Sequence, residues 1–291
     1  MNLGSIITAM VTPFDADLSV DEAATVSLMH HLVANGSDGL VLSGTTGEAS
    51  TLTDDEKLLL FKLATQELKG TATVIAGTGS NDTAHSVHLT EKAAEYGVDA
   101  VLVVTPYYNR PPRAGIIGHV AAIAAVGVPV VLYNIPSRSV VNMDPTLIAE
   151  LMQIPNVIGV KEANSEQASQ TLATGANVWA GNDDLFCEVV NGGGAGVISV
   201  ASHLVGPQLA AIAAAARAGN KDEALRLDRA LHPLYEALFV TANPILVKAA
   251  LQMTGVIPRA GLPLPLVDAT PVERGILRTV LEANGITVTA Q

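Results

Sequence analysis

The sequence predicts a (β/α)8 barrel of the TIM type, carrying a C-terminal helical extension. Three observations point there. Eight short apolar runs of strand length alternate with helical patterns between residues 5 and 202. The runs are continuously apolar, as strands of a parallel sheet covered on both faces are, and do not alternate as half-exposed strands would. Beyond residue 202 the pattern is helical only, with no composition break that marks a linker. Regular βα alternation of this length is the mark of a barrel; an open doubly wound sheet is the alternative.

The elements follow in order. SIITAMVTPF (5–14) is the first strand, and a helix from Asp21 to Asn35 ends at Gly36. DGLVLSG (38–44) is the second strand, followed by the loop TTGEAS. Thr53 with Glu56 three residues on has the form of a capping box, opening a helix to Lys69. TVIAGTG (73–79) is the third strand, and Asp82 opens a helix that stops near Gly97. DAVLVVTPYYN (99–109), a helix over 114–126 and VPVVLYNIP (128–136) come next. Pro145 suits a first helical turn, and that helix ends near Gln153. NVIGVKEA (156–163), a polar helix, NVWAGND (177–183), a short helix over 184–191 and AGVISVAS (195–202) complete the eight units. Helices are then expected at 208–218, 221–239, 244–253 and 272–284. The barrel is assigned to residues 1–220 and the extension to 221–291.

Composition limits the function. The 291 residues carry a formal net charge of −12, which disfavours nucleic acid and anionic membranes as partners. The one cysteine, Cys187, allows no intrachain disulfide and fits a reducing cytoplasm. The N-terminus lacks the pattern of a secretion signal, and no apolar run is long enough to span a membrane. No HxH, CxxC or HExxH spacing occurs, so no metal is expected.

Chemistry in such barrels sits at the C-terminal ends of the strands. There the sequence places Ser43-Gly44-Thr45-Thr46-Gly47-Glu48, Thr105-Pro106-Tyr107-Tyr108-Asn109, Tyr133 to Arg138, Lys161-Glu162, Gly181 to Asp184, and Ser199 with Ser202. Lys161 stands out, because a lysine at the end of an apolar strand loses solvation for its charged form. A neutral amine so placed attacks carbonyl carbon and forms a Schiff base. The alternative is a lysine that reaches water or pairs with Glu162. Tyr133 is either a core tyrosine or a proton shuttle. The Gly44–Gly47 hydroxyls suit either a tight turn or a carboxylate ligand, and Arg138 suits a carboxylate. The run Gly192-Gly193-Gly194-Ala195-Gly196 precedes the eighth strand, at the opposite end of the barrel, and reads as a turn. Cys187 reads as a structural thiol.

Together GTTGE (44–48), PYYNRP (106–111), YNIPSR (133–138), GVKEA (159–163), GNDD (181–184), GVISVAS (196–202) and NPILVKAAL (243–251) resemble the dihydrodipicolinate synthase/N-acetylneuraminate lyase family. The resemblance runs through nearly the whole chain in order. It implies a lyase in which Lys161 condenses with pyruvate, with no cofactor beyond that covalent imine. Tyr133, Thr45 and Tyr108 would relay protons, Tyr108 reaching the site from a neighbouring subunit of a homotetramer built as a dimer of dimers. Thr46 would hold the pyruvate carboxylate and Arg138 that of an L-aspartate-4-semialdehyde partner, with Gly181 and Ile198 lining the pocket. A sugar-acid aldolase is the rival activity, and Arg138 argues against it. Two departures stand out. Ser139-Val140 follows Arg138 where the family has Thr-Gly. At positions matching the lysine-binding site of inhibited relatives the chain carries Asp54, Lys57, Asn81 and His85. Lys57 would repel the ligand's ammonium, so no feedback inhibition by L-lysine is expected.

Overall fold

Side chains of a strand alternate between its two faces, and in this chain each face meets a different apolar layer. A computed structural model describes residues 2–289. Eight parallel strands, β1 (Ile6–Ala9), β2 (Gly39–Leu42), β3 (Thr73–Gly77), β4 (Ala100–Val104), β5 (Val130–Asn134), β6 (Val157–Glu162), β7 (Val178–Ala180) and β8 (Gly196–Ser199), close into a barrel in chain order. β1 pairs with both β2 and β8, which closes the ring. Ile7, Val41, Ile75, Leu102, Val131, Tyr133, Trp179 and Ile198 fill the interior. Ile6, Leu40, Val74, Val101, Leu132, Val160 and Val197 face the surrounding helices. Both faces are buried, so each strand reads as one continuous apolar run.

The helices are α1 (Glu22–Ala34), α2 (Asp54–Glu67), α3 (Thr83–Tyr96), α4 (Arg113–Ala124), α5 (Pro136–Ser139), α6 (Pro145–Leu151), α7 (Ala168–Ala173), α8 (Phe186–Asn191), α9 (Ser202–Arg217), α10 (Lys221–Leu238), α11 (Ile245–Met253) and α12 (Pro271–Ala283). The expected starts are present. Asp21 accepts from the Ala24 N–H, Thr53 and Glu56 form the capping box, and Asp82 and Asp144 cap α3 and α6. Gly97 ends α3 in the left-handed conformation that glycine adopts without strain.

Some elements differ from the sequence expectation: among them, β4 stops at Val104 and β7 at Ala180, and a 3-10 turn, Asp183–Leu185, precedes α8. α9 begins at Ser202, not at residue 208, and breaks at Val205 (φ −132°, ψ 34°). Pro207 lacks an N–H and crowds the preceding turn, which separates the first turn from the rest. α12 begins at Pro271 behind a second capping box, Thr270 with Glu273. The fifth strand, expected to run to Pro136, stops at Asn134, and Pro136–Ser139 make the helical turn α5. Pro136 at its first position is pre-set for a helix, and Val140 closes it at φ 65°. That left-handed φ is costly for a β-branched residue.

α9 also carries a buried histidine. The His203 Nε2 accepts from the Val11 N–H at 3.2 Å and its Nδ1–H donates to the Val200 carbonyl at 2.8 Å. Burial pushes His203 down to about 4. The unfolded chain therefore takes up this proton first, near the ordinary histidine value of about 6.5. The stability contributed is complete above that pH and is lost as pH falls towards 4. The loss amounts to about 3 kcal/mol if the whole shift is expressed. Urea unfolding of wild type and His203→Gln between pH 7 and pH 4 is expected to show the steeper decline in wild type. Parallel profiles would mean that other groups set the acid limit.

Candidate active site

The barrel mouth gathers hydroxyls, a phenol and an amine because each belongs to a strand end or to the loop just after it. Lys161 is the fifth residue of β6. It pairs in register with Tyr133 of β5 and Trp179 of β7, both of which point into the barrel. Val160 and Glu162, its neighbours, point outward. Glu162 accepts from Asn134 at 2.9 Å, Gln167 at 2.9 Å, Thr171 at 3.0 Å and the Asn164 N–H at 2.8 Å. The pairing of Lys161 with its sequence neighbour is thereby excluded, since adjacent strand residues occupy opposite faces.

Lys161 is 5% exposed, and its Nζ lies 4.4 Å from the centre of the Tyr133 ring. Lys57, Lys92 and Lys248 each have a carboxylate partner, whereas Lys161 has none within salt-bridge distance among the described residues. Burial pushes its amine down to about 8; the Asp183 charge pulls it back up and Arg138 pushes it further down. Relative to an ordinary lysine, the neutral fraction at pH 7 rises roughly 300-fold. Asp183 is itself tied down, accepting from the Ser199 hydroxyl and from the Val200 and Ala201 N–H groups. Burial pushes the Asp183 carboxyl up, and these donors together with Lys161 act in the other direction.

Tyr133 is pushed up to about 12 by burial, with Arg138 and the Thr45 hydroxyl acting in the other direction. It stays protonated at neutral pH, as a donor to developing negative charge must. Tyr133, Thr45, Arg138 and Tyr107 line one cavity of about 600 Å3, which is room for a three-carbon acid and a four-carbon aldehyde together.

Between β2 and α2 the chain folds tightly against β3. A Cβ on Gly77 would lie 2.2 Å from the Ser43 carbonyl oxygen, so only glycine admits the Ser43–Gly44 backbone there. The Thr12 hydroxyl donates to the Gly47 carbonyl at 2.7 Å. These contacts place Thr45 on the cavity and bury Thr46 beside it. Ile198 packs inside the barrel, and the Gly181 N–H donates to the Glu162 carbonyl at 2.6 Å.

Of the residues singled out in the sequence, Tyr108 stands apart. It is 89% exposed and its φ is 71°, a strained value for a bulky side chain; like Lys161, Thr46, Gly181 and Ile198, it is not on the lining of the cavity. Arg138 is exposed on α5 rather than at a strand end, and still reaches the cavity. At the far rim, Asp54 bridges Lys57 at 3.0 Å and His85 at 2.8 Å, so both of its oxygens are already engaged. The Gly192–Gly196 run turns from α8 into β8 at the opposite end of the barrel, with Gly193 at φ 89°. Cys187 is buried, and burial raises its thiol to about 11, which leaves it protonated and inert. Among the described residues no cluster of three or more His, Cys, Asp or Glu is arranged for a metal.

One residue of the site has no role assigned from the sequence, although it opens the NPILVKAAL motif. Asn243, just ahead of α11, donates its side-chain N–H to the Thr46 Oγ1 at 2.8 Å. No local pattern signals its contact with Thr46, because the two residues lie 197 positions apart.

The chain was compared with known proteins. Residues 2–284 match the model of the dihydrodipicolinate synthetase family. The 4-hydroxy-tetrahydrodipicolinate synthase of Heliobacterium modesticaldum is 46% identical over 100% of this chain and 99% of its own. That of Symbiobacterium thermophilum is 46% identical over 97% and 98%. Among solved structures, the Cyanidioschyzon merolae enzyme, determined with lysine bound, superposes with a TM-score of 0.94 at 40% identity, covering 98% of this chain and 99% of that one. The Thermotoga maritima dihydrodipicolinate synthase superposes with a TM-score of 0.95 at 36% identity over 99% and 100%.

Proposed function

Because the chain belongs to the dihydrodipicolinate synthetase family, we propose that it condenses pyruvate with L-aspartate-4-semialdehyde to 4-hydroxy-tetrahydrodipicolinate through an imine on Lys161. The chain is a lyase of that family. The observation that carries the mechanism is a buried lysine without a carboxylate partner among the described residues, its amine pushed down to about 8, set over the ring of a tyrosine that keeps its proton.

The neutral Lys161 amine attacks the pyruvate carbonyl carbon, and the oxygen leaves as water once protonated. Loss of a methyl proton gives the enamine, whose carbon attacks the aldehyde, and the resulting alkoxide takes up a proton. The amino group of the aldehyde partner then displaces Lys161, closing the ring and freeing the lysine. Tyr133 and Thr45 supply and remove these protons: both line the cavity, and the Tyr133 ring lies 4.4 Å from the Lys161 Nζ. Thr46 holds the pyruvate carboxylate and Arg138 that of the aldehyde, because a planar fork suits a carboxylate. Gly181 and Ile198 bound the pocket. The imine itself serves as the electron sink, so no separate cofactor is needed. An exposed, strained Tyr108 is understandable if it enters the site of an adjacent subunit, as in a dimer of dimers. The single cysteine, Cys187, is free, which fits the reducing cytoplasm as the setting.

The test is an initial-rate assay with pyruvate and L-aspartate-4-semialdehyde beside a panel of sugar acids. Turnover is expected with the semialdehyde alone. Cleavage of a sugar acid at a comparable rate would reassign the substrate to the rival aldolase class. Adding millimolar L-lysine to the same assay is expected to leave the rate unchanged, because Lys57 and His85 occupy the Asp54 carboxylate that an ammonium would need.

A further inference from the structure

The C-terminal extension holds a buried polar contact to the catalytic loop that the reaction as described does not use. Asn243 is 8% exposed, and its amide N–H donates to the Thr46 Oγ1 at 2.8 Å, while its Oδ1 is buried without a partner among the described residues. A buried amide that leaves one group unsatisfied is kept at a cost, and the cost calls for an explanation. The contact is braced from behind. Lys248 of α11 donates to the Glu48 carboxylate at 2.7 Å and to the Gly261 carbonyl, and its Nζ sits 4.4 Å from the centre of the Phe14 ring. Glu48 belongs to the same loop as Thr46 and adopts φ 61°. Burial pushes Lys248 down and Glu48 up, and each partner's charge opposes the other's shift. Breaking such a pair strands a charge in the interior, so it fixes the loop to α11 firmly.

We propose that Asn243 is a positioning residue that commits the Thr46 hydroxyl proton to the substrate carboxylate. A hydroxyl has one proton and two lone pairs. The Asn243 N–H occupies one lone pair, and Thr46 Oγ1 has no other partner among the described residues. Asn243 itself lines the cavity, and because its N–H fills that lone pair the Thr46 proton is left for an acceptor other than Asn243, which the reading above makes the pyruvate carboxylate. Donation into Oγ1 also polarises the hydroxyl and strengthens its own donation. This rests on the reading that pyruvate binds with its carboxylate at Thr46.

The experiment measures the KM for pyruvate, the KM for the aldehyde, kcat and thermal unfolding for Asn243→Leu, Thr46→Val and the double variant. Borohydride trapping of pyruvate on wild type is the control. A hydrogen bond to a charged group corresponds to about 10- to 100-fold in affinity. The pyruvate KM is expected to rise by that factor in Asn243→Leu, with the aldehyde KM and unfolding temperature unchanged. In the Thr46→Val background, Asn243→Leu is expected to add nothing. Asn243→Asp offers an acceptor in place of a donor, draws the Thr46 proton to itself and gives the same rise, which covers the case in which the leucine variant does not fold. An unchanged pyruvate KM in a folded variant, or a parallel fall in kcat, both affinities and stability, would overturn the proposal. If wild type traps no pyruvate, the imine reading itself fails. If it does and Asn243→Leu retains the wild-type KM, only the positioning role is lost.

Discussion

Lys161→Ala is expected to lower turnover by on the order of 10⁴-fold or more, the scale seen when a covalent nucleophile is removed. Borohydride with pyruvate is expected to add a three-carbon adduct to Lys161 of wild type and no mass to the variant. A variant that still traps pyruvate would show that another amine is the nucleophile. The same residue sets a stability effect of opposite sign. Its folded pKa of about 8 lies below the ordinary 10.5, so the unfolded chain binds the proton more readily. Below pH 8 the buried ammonium is a net cost, and the cost disappears as pH rises from 8 to 10.5. At 5% exposure little solvent screening applies, and the full linkage is up to about 3 kcal/mol. Lys161→Met, of similar volume, is expected to be inactive yet harder to unfold at pH 7, by an amount that shrinks towards pH 10.5. A site kept reactive at the expense of stability behaves this way.

Tyr133→Phe is expected to reduce kcat by about 10²- to 10⁴-fold, the range for a positioned acid or base. Imine formation slows but still occurs, because Lys161 and its burial remain, so the adduct accumulates over longer incubation. The fold is expected to survive, since the ring stays among Val131, Ile135 and Trp179 in the barrel interior. The separation between trapping and turnover is the informative readout. A near-normal kcat would reduce Tyr133 to a packing residue. Loss of trapping together with turnover would mean that the phenol shapes the amine's surroundings rather than moving protons.

Much of this site follows from local pattern. Eight apolar runs alternating with helices specify a barrel because both faces of each strand must be buried, and that requirement is written residue by residue. Knowing that strand ends carry the chemistry points to Lys161 and places Tyr133, Thr45 and Thr46 among the candidates at the mouth, and the family resemblance selects them. Capping is equally local, so Thr53 with Glu56 was readable, whereas the same device at Thr270 and Glu273 was passed over. The turn at Pro136–Ser139 was hidden because Ile135 and Pro136 extend the apolar run of β5 without a polar break.

The sequence by itself determined the barrel and the residues at its mouth, because burial leaves a periodic imprint on neighbouring positions. Tertiary structure decided what those residues meet. Strand parity turned Lys161 into the barrel and Glu162 out to Asn134, Gln167 and Thr171. Burial without a carboxylate partner then lowered the amine to about 8. Thr46 gained its partner Asn243 from 197 residues away, and Glu48 gained Lys248 from 200. Contacts across such separations leave no local period in the chain, and only closure of the barrel with α11 against its mouth brings them together.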